Sequence, residues 1–157
     1  MKKKAVIFDI DGTSANGEHR EHYLQHSPKD WKGFFSEMKK DKLNESVACI
    51  YRKFLFDRDY EIIVLTGRPQ KYSTPTIEWL FDHKLINDEV HSETRPLLFF
   101  RPDGDFRDDD IIKKEIYKEA IEPRYEVVFV IDDRNRVVRM WRDVLGLTCF
   151  HFRDGDF

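Results

Sequence analysis

Residues 5–13, Ala5-Val6-Ile7-Phe8-Asp9-Ile10-Asp11-Gly12-Thr13, constrain the fold of this chain more than any other stretch. Val6, Ile7 and Phe8 form an unbroken apolar run, the pattern of a strand buried on both faces of a parallel sheet. The run then meets two carboxylates and a glycine. Side chains two apart in an extended strand share a face, so Asp9 and Asp11 point the same way. Gly12 permits a turn that other residues resist. In open α/β sheets, ligands bind beyond the carboxyl ends of the strands. Two acids gathered there suit Mg²⁺, which takes oxygen ligands and bridges carboxylate to phosphate. The plainer alternative is a solvated acidic turn closing a strand, since a D-x-D also arises by chance.

Four more segments repeat the strand pattern. Glu61 to Leu65 runs into Thr66-Gly67-Arg68-Pro69, and Leu97 to Phe100 runs into the turn-rich Arg101-Pro102-Asp103-Gly104-Asp105. Val127 to Ile131 ends in Asp132-Asp133-Arg134, and Thr148 to Phe152 makes a fifth, edge strand. Helical patterns separate them. Trp31, Phe34, Phe35 and Met38 mark a short amphipathic helix. Asn44 is placed to cap a helix with Val47, Ile50, Tyr51 and Phe54 on one face. Thr74-Pro75 reads as N-cap and first position of a helix with Ile77, Leu80 and Phe81 on its apolar face. Asp108-Asp109-Asp110 opens a helix buried through Ile112, Ile116 and Ala120 and ended by Pro123. Val137, Met140, Trp141 and Val144 mark the last helix, stopped by Gly146. Strands alternating with helices predict an α/β, doubly wound parallel sheet.

Residues 14–43 are the least regular. Ser14 to Pro28 reads as a loop with a short helical turn, and its His19, His22 and His26 as surface or substrate-facing groups rather than zinc ligands. Lys39-Lys40-Asp41-Lys42 reads as a solvated charge run.

At 157 residues the chain is expected to form one domain, 1–157, with a substantial core. Its 22 aromatics (3 Trp, 6 Tyr, 13 Phe) argue against disorder. The net charge of −3 excludes a polyanion-binding protein by overall charge, so contact with nucleic acid would need a local basic patch and would be brief. Cys49 and Cys149 match no metal spacing and are expected as buried free thiols in a reducing compartment. No stretch approaches a membrane span, and Asp9 interrupts any signal-peptide core after the four apolar residues Ala5 to Phe8. A soluble, cytoplasmic protein is expected.

A parallel sheet brings its strand ends to one rim, so Asp9, Asp11, Thr66, Asp132 and Asp133 should converge. Acids crowded at a partly buried rim need a cation. Mg²⁺ is expected on Asp9, Asp132 and the backbone carbonyl of Asp11, with Asp133 behind or through water. Lys113 is the local candidate for a side-chain counter-charge. A phosphomonoester would complete the balance, held by a Thr hydroxyl and backbone N–H groups. Each residue also has a bland role: Thr66 or Asp132-Asp133 as helix caps, Lys113 as a surface lysine.

These motifs resemble those of the haloacid dehalogenase-like (HAD, Rossmannoid) phosphotransferases. The resemblance runs through Asp9-Ile10-Asp11-Gly12-Thr13, Leu65-Thr66-Gly67-Arg68, Lys113 and Asp132-Asp133, over nearly the whole chain. It implies Asp9 as nucleophile, Asp11 as general acid/base, Thr66 as phosphate-binding hydroxyl and Lys113 as the catalytic lysine. The insert of about 50 residues between the first two motifs has room only for a small helical cap, placed at about 15–57. Such a cap leaves the site open to large substrates. Further segments are similar to the 3′-phosphatase domain of phage-type polynucleotide kinase/phosphatases: Arg101 to Arg107, Asp109 to Lys113, Ile131 to Arg142 and the closing Gly155-Asp156-Phe157. That resemblance implies phosphate-site roles for Arg68 and Arg101, beside Gly67, and a phosphorylated nucleic-acid end or a nucleotide as substrate. Ser14 departs from the aliphatic residue common in the family. Gly12 and Gly17 have P-loop spacing, but Glu18-His19 stand where Lys-Ser/Thr would, so no ATP-dependent kinase is read in this chain. A separate or fused kinase module remains a compatible partner, and no stable nucleic-acid complex is expected. The alternatives are a small-molecule phosphatase, such as a nucleotidase, and a non-catalytic binding module.

Overall fold

The computed structural model describes residues 1–86 and 95–155. Asp156 and Phe157 of the closing segment lie outside the described residues. The chain runs β1 (Lys3–Phe8), β2 (Ala15–Asn16), α1 (Trp31–Ser36), β3 (Lys42–Leu43), α2 (Glu45–Leu55), β4 (Tyr60–Pro69), α3 (Ser73–Asp82), β5 (Leu97–Arg101), α4 (Asp109–Ile116), β6 (Tyr125–Asp132), α5 (Asn135–Arg139) and β7 (Cys149–His151). Short 3₁₀ turns cover Glu18–Leu24, Met38–Lys40 and Gln70–Tyr72.

Five strands make one parallel sheet in the order β5-β4-β1-β6-β7. Period-two alternation divides its side chains between two cores. Val6, Phe8, Ile62 and Val64 face α2 and α3, meeting Val47, Tyr51, Trp79 and Leu80. Ala5, Ile7, Ile63, Leu65 and Val130 face the other layer, meeting Tyr117, Ile121, Val137 and Trp141. Burial on both faces is why these strands read as continuous apolar runs. The chain leaves β1 first toward β4 and later returns on its other flank as β6. The switch point of this doubly wound sheet is therefore at the carboxyl end of β1, where Asp9 and Asp132 sit.

Several helix faces differ from their predicted ones. In α3 the first helical residue is Ser73, not Pro75, and the buried face is Thr76, Trp79 and Leu80, while Ile77 and Phe81 are exposed. In α2, Val47, Ala48, Tyr51 and Leu55 are buried and Ile50 is exposed. Asn44 takes the N-cap position of α2 as expected, but its side chain does not bond the helix; its Nδ2 donates to the Thr13 carbonyl at 2.7 Å, fastening the insert to the first turn. After Ile116 the α4 helix widens into a π turn, Tyr117–Ile121, moving the buried face from 116 and 120 to Tyr117 and Ile121. A second π turn, Met140–Val144, leaves Val144 exposed in the same way. Cys49 is exposed, against the expectation of a buried thiol, whereas Cys149 is buried.

The segment between β1 and β4 holds a two-stranded ribbon (β2 with β3), the first 3₁₀ turns, α1 and α2. α2 belongs to the main core. Phe34, Phe35 and Met38 form a small apolar cluster of their own with Tyr23, Leu24 and Tyr72.

Candidate active site

The end of β1 is pinned before it turns. The Asp9 amide donates to the Ile131 carbonyl on β6 (3.1 Å), and the Ser14 hydroxyl donates to the Asp9 carbonyl (2.7 Å). Ser14 thus has a specific use. Gly12 has φ +84°, and a Cβ on it would collide with the Asp133 carboxylate, so the turn needs glycine for both conformation and space.

Two sets of charges meet here. In the first, Lys113 Nζ donates to Asp9 Oδ1 (2.8 Å) and Asp132 Oδ2 (2.9 Å), and lies 3.5 Å from Asp109. Thr13 Oγ1 donates to Asp9 Oδ2 at 2.9 Å and lies 3.3 Å from Asp133 Oδ1. Trp141 Nε1 reaches Asp132 Oδ2 at 3.3 Å. Asp9, Lys113, Asp132 and Asp133 are all buried. Burial opposes charge on Asp9 and, with the charges of Asp132 and Asp133, raises its carboxyl well above the usual range despite Lys113. Asp133 is pushed up to about 6, by burial first and then by the Asp132 charge. On Lys113 the order reverses: burial would lower it, but Asp109, Asp132 and Asp9 together keep it firmly cationic.

The second set holds Asp11. Arg68 donates to it through Nε (2.9 Å) and Nη2 (2.7 Å), and Arg20 through Nη2 (2.5 Å). Arg20 also grips Asp41 through Nε (2.7 Å) and Nη2 (2.5 Å). His19 Nε2 is 2.9 Å from the same Asp41. Both guanidiniums are fully buried. Burial alone would raise the Asp11 carboxyl, but Arg68 and Arg20 outweigh it and hold it far below the usual range.

Two arginines thus balance two acids in the second set, while in the first Asp9 and Asp132 share Lys113, which also serves Asp109, and Asp133 has, among the described residues, only Arg153 Nε at 3.7 Å. The deficit is one a cation would fill. Asp9, Asp132 and Asp133 each offer a carboxylate oxygen, all within 4.8 Å of one another, and Asp133 Oδ2 is a buried oxygen without a hydrogen-bond donor. The donor set fits a hard divalent cation. The Asp11 carboxylate, expected beside Asp9 at the ion, is not in this group, because its oxygens are taken by the arginines; only its backbone carbonyl is left to serve as a ligand.

Thr66 lies inside β4 rather than at a helix start, and its hydroxyl accepts from the Arg68 amide (3.2 Å). Arg68, expected at the phosphate, points its guanidinium at Asp11 and Thr76 instead (Nη1 to Thr76 Oγ1, 3.0 Å). Arg101 donates to the carbonyls of Gly67 (2.9 Å), Asp105 (3.1 Å) and Arg107 (2.5 Å), tying its loop to β4. Its Nη2 is 3.4 Å from Asp109. A Cβ on Gly67 would collide with that Asp109 carboxylate.

Arg20, Asp41 and Asp109 were not singled out from the sequence. Arg20 sits in a loop of mixed charge with no period to mark it. Asp41 hides in the run of lysines read as solvated; the lysines are exposed, but Asp41 is buried. Asp109 was read as helix-terminal charge. Its spacing of four from Lys113 puts the two on one helix face and was the available signal.

The family model for the phosphatase domain of polynucleotide kinase PNKP matches residues 3–157. A protein of Autographa californica nuclear polyhedrosis virus, named as a bifunctional polynucleotide kinase/RNA ligase, is 29% identical over 151 residues, covering 94% of this chain and 19% of that one. Two solved structures, of the Pnkp1/Rnl/Hen1 RNA repair complex and of the Pnkp1/Rnl/Hen1 complex, each contain a chain 38% identical to this one at a TM-score of 0.81. Both matches cover 99% of this chain, but only 44% and 48% of those chains. A class C acid phosphatase from Bacillus anthracis, solved with tungstate bound, shares the fold at a TM-score of 0.61 and 17% identity, over 100% of this chain and 69% of that one. The chain therefore spans less than half the length of the first relatives it matches. With its strand-end acids, its lysine and its parallel sheet in place, the chain belongs to the HAD-type family of polynucleotide kinase phosphatase domains.

Proposed function

We propose that this domain removes 3′-phosphate from polynucleotide ends, with Mg²⁺ and through an aspartyl-phosphate on Asp9. The observation that carries the reading is the division of labour between two carboxylates two residues apart. Asp9 is held by Lys113 and Thr13 beside the acid cluster. Asp11 is held away from it by Arg20 and Arg68. The two carboxyls are thereby held in separate surroundings; burial raises Asp9 in the metal-free domain, and a cation beside it would keep it ionised as the nucleophile needs.

Asp9 Oδ attacks phosphorus in line; the P–O ester bond breaks as the Asp–O–P bond forms. Asp11 gives its proton to the leaving 3′-oxygen. A water then attacks phosphorus, Asp11 takes its proton, and the Asp–O–P bond breaks to free Asp9 and inorganic phosphate. Asp11 is a carboxylate in the free domain. A bound phosphate dianion is a like charge beside it and raises it toward the protonated form that the first step needs. A divalent cation on Asp9, Asp132 and Asp133 would neutralise the phosphoryl oxygens and relieve the charge deficit. Thr66 and the backbone near Gly67 face the phosphate in this reading, and Arg101 and Arg68 order the walls around it.

The viral relative joins kinase and ligase names in one chain, and the repair complexes join Pnkp1 to further components. Both support work beside a kinase module. Among the described residues no helix is long and apolar enough to cross a membrane. With the buried free thiol of Cys149, that suits a cytoplasmic setting.

Turnover of a 3′-phosphorylated oligonucleotide, its 5′-phosphorylated isomer and 3′-mononucleotides, with and without EDTA, tests the reading. The 3′-phosphorylated strand should be cleaved fastest, EDTA should stop it, and Asp9→Asn should be inactive yet folded. Faster cleavage of mononucleotides than of any strand would replace this reading with a nucleotidase.

A further inference from the structure

The aromatic rings Trp31, Phe34 and Phe35 of the insert meet one another and Tyr72, which follows β4. Phe34 and Phe35 are 8% and 7% exposed and form the inner side of this group. Trp31 meets Phe34 edge-on at 5.8 Å and stacks on Phe35 at 6.0 Å between centroids, and Phe35 meets Tyr72 at 4.7 Å. The outer members differ from the inner ones. Trp31 is 44% exposed and Tyr72 is half-buried. Each also has a lysine: Lys29 Nζ lies 5.6 Å from the Trp31 ring centre and Lys71 Nζ lies 5.3 Å from that of Tyr72.

A single exposed tryptophan means little. This one is the end of a chain of contacts that begins at the catalytic acid. Arg20 holds Asp11 at 2.5 Å, while its Cζ lies 3.9 Å from the Phe34 ring centre and its Nη1 donates to the Phe34 carbonyl at 3.2 Å. Tyr72 is tied in from the other wall. Its carbonyl accepts from the Thr76 hydroxyl (2.7 Å), and the same hydroxyl accepts from Arg68. The nearby acids are already engaged: Glu37 with Lys40, Glu78 with Lys39, and Asp30 with the Gly33 amide. Lys29 and Lys71 are in no ion pair among the described residues. They supply a local basic patch on a chain whose net charge is −3.

We propose that Trp31 and Tyr72, flanked by Lys29 and Lys71, form a stacking platform for the terminal nucleobases of the single-stranded end whose phosphate reacts at Asp9. This rests on the activity proposed above. Every base offers a π face, so stacking holds a strand without reading its sequence; the lysines that lie over these rings move to the backbone phosphates as bases take their place. The platform makes the enzyme select a strand end over a small phosphate ester by binding the nucleotides next to the scissile bond.

Trp31→Ala tests it, since its side chain is exposed enough to remove without opening the core; an unchanged melting temperature checks this. Four substrates are compared: a 3′-phosphorylated oligoribonucleotide, its DNA counterpart, the same strand with abasic terminal residues, and glycerol 2-phosphate, which has neither base nor strand. Stacking is worth about 1–3 kcal/mol per base, or roughly 5- to 150-fold. Trp31→Ala should raise KM for both intact strands about tenfold with kcat little changed. Relative to the wild type, the abasic strand and glycerol phosphate should show no such rise, and Trp31→Phe should recover most of the loss. Equal KM for the intact strand in wild type and Trp31→Ala overturns the platform, as does the same loss on abasic and intact strands. A wild type that leaves every 3′-phosphorylated strand uncleaved overturns the activity reading, and the platform with it.

Discussion

Arg20→Met removes the residue that joins Asp11 to the rest of the insert, and the contacts it makes set the size of the effect. Arg20 is fully buried, and its guanidinium makes hydrogen bonds to Asp41 (2.7 and 2.5 Å), Asp11 (2.5 Å) and the Phe34 carbonyl (3.2 Å). Removing one partner of a buried ion pair costs about 3–5 kcal/mol, because the other charge is stranded. Asp11 would not be stranded, since Arg68 still holds both its oxygens. Asp41 would be: it keeps His19 at 2.9 Å and Arg68 only at 3.5 Å. The loss should therefore lie near the lower end, about 3 kcal/mol, or a fall in Tm of roughly 6–12 °C for a domain of this length. Urea unfolding followed by tryptophan fluorescence measures it. Asp41→Asn in the Arg20→Met background removes the stranded charge and should recover part of the loss, a coupling that a double-mutant cycle reads directly. The pH dependence has a defined sign. A carboxyl held low in the folded state contributes stability that is present above its ordinary pKa of 3.8 and is lost as pH falls below it. Arg68 does most of this for Asp11 and Arg20 a smaller part, so that smaller part of the gap between wild type and Arg20→Met should be present at pH 7 and shrink below about pH 4. A destabilisation under about 1 kcal/mol, or a gap that does not change between pH 7 and pH 3, would refute the reasoning.

Gly67→Ala should lower kcat about 100-fold, the scale of a misplaced catalytic wall, because its methyl group displaces Asp109 from Arg101 and Lys113; near-normal turnover would show that Asp109 has room to move. Mg²⁺ titration should change the emission of Trp141, whose Nε1 touches Asp132, and Asp132→Ala should abolish the change; a wild type with flat emission but metal-dependent activity would place the ion elsewhere. Iodoacetamide at pH 8 should label Cys49 alone in the native protein, since burial and the Asp132 charge push the Cys149 thiol up to about 12, leaving about 10⁻⁴ of it as thiolate. Mass spectrometry reads this, and two labels without denaturant would contradict the buried position of Cys149.

The sheet and its rim were legible in the sequence because their signals are local. A parallel strand buried on both faces must be apolar throughout, so β1, β4 and β6 announce themselves, and the residues closing them are the rim. Asp9, Asp132 and Lys113 converge as that argument requires. The helix faces were harder. Two π turns each add a residue to a turn, so the buried face moves from 116 and 120 to Tyr117 and Ile121 and leaves Val144 in solvent. Neither shift has a sequence signal of its own.

The insert was least legible, for a reason that bears on the chemistry. Its decisive residues are polar, and polarity in a loop normally means exposure. Arg20 and Asp41 are buried only because each has the other, across 21 positions, and Arg68 reaches Asp11 across 57. Such pairing is a property of the closed structure. The two arginines hold Asp11 apart from the acid cluster two residues upstream. Without them, Asp9 and Asp11 would share one crowded field, and their surroundings would no longer tell the two carboxylates apart. The D-x-D pattern places both carboxylates at the rim, but the difference between them is set by groups supplied from the insert and from β4.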